Sequence, residues 1–220
     1  MNQLTTVLWD FNGVIYNDVE ISLRAINELL RRHGGKPLSG LDEYRRVFGF
    51  PIRDYYERVG LDFSRTPFEE LAIEWVSTYR SLEPLCCLYP GVAETVAKIG
   101  RETGASQILL SATEQNMLRE QTESLGIGHV FDEILGTGTI HATGKVELAR
   151  QYKEKHEREL IICVGDTVYD AEVATAIGAE CILVSWGHQD EKRLKETGFT
   201  VVPDISSAGK LIIERLKQGV

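Results

Sequence analysis

Residues 5–13 of the chain, TTVLWDFNG, are the most informative about the fold. They combine a short apolar run with a carboxylate that directly follows it. The run TTVLW is typical of a parallel strand that is buried on both faces by helices. Asp10 follows at its carboxyl end, and Gly13 suits a turn that brings backbone close to a ligand. Because ligands bind at the carboxyl ends of strands in an open parallel sheet, this stretch predicts a buried strand and a functional site.

Similar short runs recur along the chain and alternate with longer amphipathic segments. Further strands are predicted at SQILLS (106–111), LIICVGD (160–166), ECILVSW (180–186) and, more briefly, around 133–135. Helical patterns cover residues 91–104, 113–126, 145–157, 169–178 and 206–218. This alternation predicts an α/β fold with a doubly wound, Rossmann-like parallel sheet.

Residues 17–84 break this alternation, since they contain helical patterns and no convincing strand. The patterns cover residues 19–35, 41–49, 51–60 and 66–82. We therefore predict two domains: an α/β catalytic core formed by residues 1–16 and 85–220, and an all-helical cap, residues 17–84, inserted into it.

Composition excludes several functional classes. The 220 residues carry a formal charge of −9, which disfavours nucleic acid and acidic membrane surfaces as partners. No apolar run approaches the roughly 20 residues of a membrane span, and the N-terminus lacks a signal-peptide pattern. The four cysteines form no C-x-x-C pair, so free thiols are expected. We predict a cytoplasmic protein, monomeric or homodimeric, that binds neither nucleic acid nor membrane.

Polar residues stand where the predicted strands end. Carboxylates and a backbone carbonyl are ligands suited to Mg²⁺, while a hydroxyl, an ammonium and backbone amides suit a phosphate. A single aspartate after a strand is more often a helix cap, but an ordered set of such residues indicates a site. The members of this set are Asp10, Asn12, Ser111, Lys145, Asp166 and Asp170.

Four motifs in this order resemble the haloacid dehalogenase superfamily of phosphohydrolases: LWDFNGVIYND, LLSAT, Lys145 and VGDTVYDAEVATAIG. The helical block resembles that family's small cap, and ECILVSWG resembles a strand of phosphoglycolate-phosphatase-like members. The resemblance implies a hydrolase of small phosphorylated metabolites that works through an aspartyl-phosphate and depends on Mg²⁺.

The resemblance also implies a role for each motif residue. Asp10 would be the nucleophile, and Mg²⁺ would be held by Asp10, the Asn12 carbonyl and Asp166, with Asp170 contributing directly or through water. Ser111 would bind a phosphoryl oxygen, and Lys145 would offset the charge of the phosphate and of Asp10. Backbone amides would assist, which adds Phe11, Gly13 and Ala112 to the substrate-binding residues.

Asn12 departs from the family pattern, in which a second aspartate normally protonates the leaving alcohol and later activates water. An amide has no proton that titrates near neutrality, and general acid–base catalysis is typically worth about 10²–10⁴-fold. Four interpretations stay open. The protein is a slow phosphatase that favours acyl or aryl phosphates, it uses a proton carrier from the cap, it is a phospho-ligand-binding pseudo-enzyme, or it is an engineered Asp-to-Asn variant.

Other chemistries fit less well. The Asp166–Asp170 pair disfavours a dehalogenase, because dehalogenation needs no Mg²⁺. Phosphonatase chemistry uses a cap lysine, and Lys36 is the only lysine in the predicted cap. A receiver domain would carry an adjacent acidic pair on the first strand, where this chain has Trp9-Asp10. The candidates for substrate recognition are Arg45, Arg46 and Arg53, which flank the 49–51 loop, and of these we expect Arg53 to contribute. His141 is expected on a surface loop.

Overall fold

Six parallel strands form the main sheet of the computed structural model, which describes residues 4–138, 144–157 and 159–218. In chain order the strands are β1 (Thr5–Trp9), β2 (Tyr16–Asn17), β3 (Cys87–Leu88), β4 (Ser106–Glu114), β5 (Glu133–Thr137), β6 (Leu160–Gly165), β7 (Glu180–Val184) and β8 (Thr200–Val202). The order across the sheet is β5-β4-β1-β6-β7-β8, while β2 and β3 pair separately and antiparallel. β1 is therefore a central strand, flanked by β4 and β6.

Ten helices accompany these strands in the described part of the chain. They are α1 (Val19–Arg32), α2 (Leu41–Val47), α3 (Ile52–Arg58), α4 (Phe68–Leu82), α5 (Val92–Thr103), α6 (Gln115–Ser124), α7 (Lys145–Lys155), α8 (Val168–Ala176), α9 (Glu191–Lys195) and α10 (Ile205–Gln218). None of them is long and apolar enough to cross a membrane.

The period-two pattern of the strands divides the core into two apolar layers. In β1, Val7 and Trp9 face the layer covered by α5 and α10, and Leu8 faces the layer covered by α7 and α8. All three side chains are at most 2% exposed. Helices therefore cover both faces of the parallel sheet, which confirms the doubly wound α/β fold.

The first four helices have an apolar cluster of their own, made of α1 residues and of the aromatic side chains that α2, α3 and α4 contribute. The two chain crossings at the base of this helical block lie side by side, because Tyr16 pairs with Leu88 and Asn17 with Cys87. The division into a core and a cap at residues 17–84 stays a proposal, and this paired crossing is the feature that supports it.

Several predicted bounds differ from those observed. β7 ends at Val184 rather than 186, because the chain turns there into a polar loop, and β4 extends to Glu114 after an irregularity beyond Leu110. α6 consequently begins at Gln115 rather than 113. The prediction also omitted β8 and α9, whose three and five residues are too short to show a clear period.

Candidate active site

Three carboxylates meet at the carboxyl ends of β1 and β6. Asp10 follows β1, Asp166 follows β6, and Asp170 lies in the first turn of α8; one oxygen of each falls within 4.8 Å of the others. Asp166 and Asp170 are buried, and the Asp10 side chain is 11% exposed. Three buried carboxylates at this spacing repel one another, so the arrangement calls for cations.

Lys145 supplies one positive charge. Its Nζ donates to Asp10 Oδ1 and to Asp170 Oδ1, both at 2.6 Å, and its side chain is 5% exposed. Burial acts to lower the pKa of Lys145, but the charges of Asp10 and Asp170 raise it above its usual value. Lys145 is therefore a fixed cation beside Asp10.

Asp170 has a structural task as well. Its Oδ2 accepts hydrogen bonds from the backbone N–H of Asp166 and from both the N–H and the hydroxyl of Thr167. This capping box starts α8 and holds Asp170 against the turn after β6. Since Oδ1 accepts from Lys145, Asp170 also orients the ammonium toward Asp10.

The Asp166 carboxylate accepts a hydrogen bond from one backbone amide and is closely approached by the backbone of two glycines. Its Oδ2 accepts from the backbone N–H of His188, and a Cβ at Gly13 or at Gly187 would lie 2.1 Å from this oxygen. Gly13 also has a φ of +73°, so a side chain there would be both strained and in collision. Only glycine therefore allows the loop after β1 to approach Asp166 this closely.

The carboxylates fit a divalent cation. Asp166 Oδ1 is buried and has no hydrogen-bond partner among the described residues, which is costly for a carboxylate oxygen unless a cation or water satisfies it. Burial raises the pKa of Asp10 to about 6, although Lys145 acts to lower it, and burial raises the pKa of Asp166 well above its usual range. An oxygen-only donor set of this kind suits Mg²⁺.

Asn12 is held at both ends of its side-chain amide. Its Nδ2 donates to Asp18 Oδ2 at 2.8 Å and to the Tyr79 hydroxyl at 3.1 Å. Its Oδ1 accepts from the Thr113 hydroxyl at 2.8 Å. An amide with these partners cannot exchange a proton with a substrate.

Asp18 and His188 form a buried ion pair beside Asn12. His188 Nε2 lies 3.2 Å from Asp18 Oδ1, and the Tyr44 hydroxyl lies 2.8 Å from His188 Nδ1. Burial acts to lower the pKa of His188, but the charge of Asp18 raises it to about 9. Burial acts to raise the pKa of Asp18, whereas His188, Asn12 and Tyr79 together bring it below its usual value.

Ser111 and Ala112 line the same cavity as Asp10. The Ser111 hydroxyl donates to Thr113 Oγ1 at 3.1 Å and so joins the hydrogen-bond chain that leads to Asn12. Phe11 is completely buried and stacks on Tyr16, so its side chain belongs to the core. The Gly13 amide already donates to Tyr16 O and to Asp18 Oδ1, both at 2.9 Å, which leaves it little capacity for a phosphate.

A cavity of about 150 Å³ lies over Asp10. The charged and polar part of its lining includes the carboxylates, Lys145 and Ser111, which we call the floor. The apolar part of the lining, which we call the ceiling, comprises Phe48, Phe50, Ile52, Tyr55, Tyr56, Phe68, Ala72, Trp75, Val76, Met117 and Tyr169. The cavity therefore has a charged set and an apolar set of lining side chains.

The arginines of α2 and α3 do not line this cavity. Arg53 is exposed, and its guanidinium lies 4.6 Å from the centre of the Phe63 ring. Arg45 donates instead to the carbonyls of Trp186 and Gly187, at 2.8 and 2.9 Å, and so ties α2 to the loop after β7. The structure thus places Arg53 apart from the residues that it brings together around Asp10.

Sequence reasoning missed Asp18, His188, Thr113 and the aromatic ceiling. His188 lies in the loop four residues beyond the end of β7, so the rule about strand ends could have indicated it. Asp18 and the ceiling residues gave no such signal, because a buried contact between the first four helices and the rest of the chain is not a local pattern. His141 lies outside the described residues.

Comparison with known proteins gives consistent matches. The model of the haloacid dehalogenase-like hydrolase family matches residues 7–184. A phosphoglycolate phosphatase of Pseudomonas fluorescens is 24% identical over 207 residues, which cover 90% of this chain and 75% of the relative. The tyrosine-protein kinase PtkA of Mycobacterium tuberculosis is 23% identical over 211 residues, covering 93% and 70%.

A solved structure has the same fold. It is the haloacid dehalogenase-like hydrolase SP0104 of Streptococcus pneumoniae, which superposes with a TM-score of 0.80 at 17% identity and covers 94% of this chain and 98% of its own.

Proposed function

The chain belongs to the haloacid dehalogenase-like hydrolase family, and from that premise we propose that it is a Mg²⁺-dependent phosphatase of a small phosphorylated metabolite, slowed by Asn12. The observation that carries the proposal is the floor, where Asp10 lies 2.6 Å from the Lys145 ammonium and within 4.8 Å of two further carboxylates. Phosphatase relatives support the same reaction class.

In the proposed reaction, one Asp10 oxygen attacks the phosphorus of a monoester. The bond between phosphorus and the ester oxygen breaks, and its electron pair stays on the leaving oxygen, which then takes a proton. Water subsequently attacks the phosphorus of the aspartyl-phosphate and releases phosphate with regeneration of Asp10. Each step brings anions together, so the Lys145 charge favours it throughout.

A divalent cation would be held by Asp10, Asp166 and the Asn12 carbonyl, with Asp170 near enough to contribute through water. When bound, it supplies positive charge that offsets the repulsion between the phosphate and the carboxylates. The contacts of Asp170 favour its less direct role, since its Oδ2 already accepts three hydrogen bonds and its Oδ1 accepts from Lys145.

None of the described side chains that contact Asn12 replaces the aspartate that normally carries the proton at this position. Asp18 is the nearest carboxylate, but both of its oxygens accept hydrogen bonds, and its pKa lies below the usual range. A carboxylate that is stabilised as an anion is a weak general acid. The leaving group must therefore depart without strong protonation, which supports a slow phosphatase rather than one with a carrier from the cap.

The test is release of phosphate from a panel of phosphomonoesters with and without Mg²⁺. We expect Mg²⁺-dependent turnover in the parent and none in Asp10→Asn, which keeps the size of the side chain but lacks the nucleophilic charge. Mg²⁺-dependent phosphate binding without turnover by the parent would favour the pseudo-enzyme. Undiminished activity in Asp10→Asn would refute the proposed nucleophile.

A further inference from the structure

The charges around the cavity limit what its substrate can carry besides the phosphate. The lining contains only two cationic side chains among the described residues, Lys145 and His188. Lys145 is paired with Asp10 and Asp170, and His188 is paired with Asp18. Glu114, which also lines the cavity, adds a negative charge. A carboxylate on the leaving group would therefore be buried without a partner, which is strongly unfavourable.

The ceiling has the opposite character. Phe48, Phe50, Trp75 and Tyr169 present aromatic surface to the cavity, and Phe50 stacks on Tyr169 with 4.6 Å between ring centres. Aromatic pairs of this kind stabilise a bound ring by offset or edge-to-face contact, in addition to the area that they bury. The whole cavity, floor included, measures about 150 Å³, so the ring that it admits beside a phosphate is a small one.

One neutral polar group is available in the ceiling. The Tyr55 side chain is 2% exposed, and its hydroxyl has no hydrogen-bond partner among the described residues. The hydroxyl of Tyr44, which also lines the cavity, is engaged by its contact with His188. A buried hydroxyl without a partner favours a ligand that offers it one hydrogen bond, and a neutral group is sufficient.

Asn12 independently favours the same kind of leaving group. Without a proton donor, the ester oxygen leaves as an anion and takes its proton from solvent afterwards. A phenolate is the conjugate base of an acid with a pKa near 10, whereas an alkoxide is about as basic as hydroxide, whose acid has a pKa of about 15.7. The P–O bond of an aryl ester therefore breaks more readily at this site.

We propose that the substrate is a small aryl phosphate without a second negative charge, held with its phosphate on the floor and its ring under the ceiling. The proposal rests on the proposed phosphatase function. It departs from what phosphoglycolate would require, since that ester carries a carboxylate on an alkyl leaving group. Trp75 and Val76, which lie side by side on α4, are the specificity-determining positions that can be altered without touching the floor.

Binding of phosphonates separates recognition from the ease of bond breaking, because a phosphonate is not hydrolysed. Calorimetry at fixed free Mg²⁺ would compare phenylphosphonate, methylphosphonate and phosphonoacetate. We expect phenylphosphonate to bind at least about tenfold more tightly than the other two, with phosphonoacetate no better than methylphosphonate. Tighter binding of phosphonoacetate, or equal Mg²⁺-dependent binding of all three, would overturn the substrate class and leave the phosphatase function standing.

Variants of one helix give a matched control. Val76→Lys places a cation in the ceiling, so phenylphosphonate should bind about fivefold less tightly or worse, while phosphonoacetate gains. Ile73→Lys lies three residues earlier on α4, where the side chain is 59% exposed, and should change neither affinity. If Val76→Lys does not fold, Trp75→Leu alters the same part of the ceiling and should selectively weaken the binding of phenylphosphonate. No Mg²⁺-dependent binding of any phosphonate, together with no phosphate release, would refute both the function and the substrate class.

Discussion

The floor and the ceiling of one cavity differ in nearly every physical property. The floor holds Asp10, Asp166, Asp170 and Lys145 at strand ends and at the start of helices, where backbone amides and a capping box fix them. The ceiling is built mainly from α3, α4 and the loop between α2 and α3, and its side chains are chiefly aromatic. Charge is concentrated where phosphorus would react, and apolar surface where the rest of the substrate would lie.

This difference suggests separate roles in the proposed function: the floor would promote the reaction of the phosphoryl group, and the ceiling would determine which ester is preferred. Every phosphomonoester presents the same phosphoryl group to the floor, so a change there should affect all substrates about equally. In the proposed function only the ceiling would contact the variable part of the ester, so a change there should alter the ratio between substrates. The predictions that follow test this separation.

The largest effect is expected for Lys145→Met, which removes the floor cation. We expect kcat/KM to fall by about 10²–10³-fold for aryl and alkyl esters alike, since the anionic transition state loses a preorganised positive charge. Lys155→Met is the control, because Lys155 is exposed on the same helix. A fall in kcat/KM confined to one class of ester would contradict the separate roles of the floor and the ceiling.

Asn12→Asp should act in the opposite direction. The new carboxylate would face Asp18, whose Oδ2 lies 2.8 Å from the present amide nitrogen, so one proton would be shared near neutrality. We expect turnover of alkyl phosphates to rise by about 10²-fold, and that of aryl phosphates to rise less. The measurement is steady-state phosphate release from one ester of each class, with Asp10→Ala as the blank.

An absence of gain on both esters, with robust parent activity that Asp10→Ala abolishes, would place the proton carrier elsewhere. The account of Asn12 would then be wrong, whereas the assignment of Asp10 would stand.

Asp166→Ala tests whether the floor holds the metal. Thermal or denaturant unfolding of the parent should show an increase of about 1.4 kcal/mol in the free energy of unfolding at Mg²⁺ ten times above its dissociation constant. The variant should show no such increase, because its orphaned carboxylate oxygen is gone. Asp54→Ala, at an exposed position of α3, should respond as the parent does. Equal stabilisation of Asp166→Ala would contradict the metal assignment.

The smallest effect is expected for Arg45→Gln, which loosens the ceiling. Two hydrogen bonds from Arg45 to the carbonyls of Trp186 and Gly187 would be weakened, at a net cost of roughly 0.5–1.5 kcal/mol each. We expect KM to rise by about three- to tenfold with kcat nearly unchanged. Arg46→Gln, exposed and adjacent, is the control. A fall in kcat without a change in KM would mean that α2 influences the floor.

Sequence reasoning found most of the floor because each of its residues follows a recognisable local pattern. An apolar run that ends at Trp9 places Asp10 at a strand end, and the run that ends at Gly165 does the same for Asp166. Parallel strands bring their carboxyl ends to one edge, so residues 156 positions apart in sequence could be placed together without coordinates. The family motifs and the helical character of residues 19–82 were legible for the same reason.

Only the tertiary structure decided what faces the floor. The ceiling side chains belong to amphipathic helices, and the same residues could have packed into the interior of the helical block, so periodicity cannot indicate which of them line a cavity. Arg53 illustrates this, since a charge near the predicted loop suggested substrate binding, yet the guanidinium lies on Phe63 at the surface. The Asp18–His188 pair likewise joins residues 170 positions apart. Such contacts depend on how the two parts of the chain pack, because burial and pairing are properties of the packed surfaces and not of either segment alone.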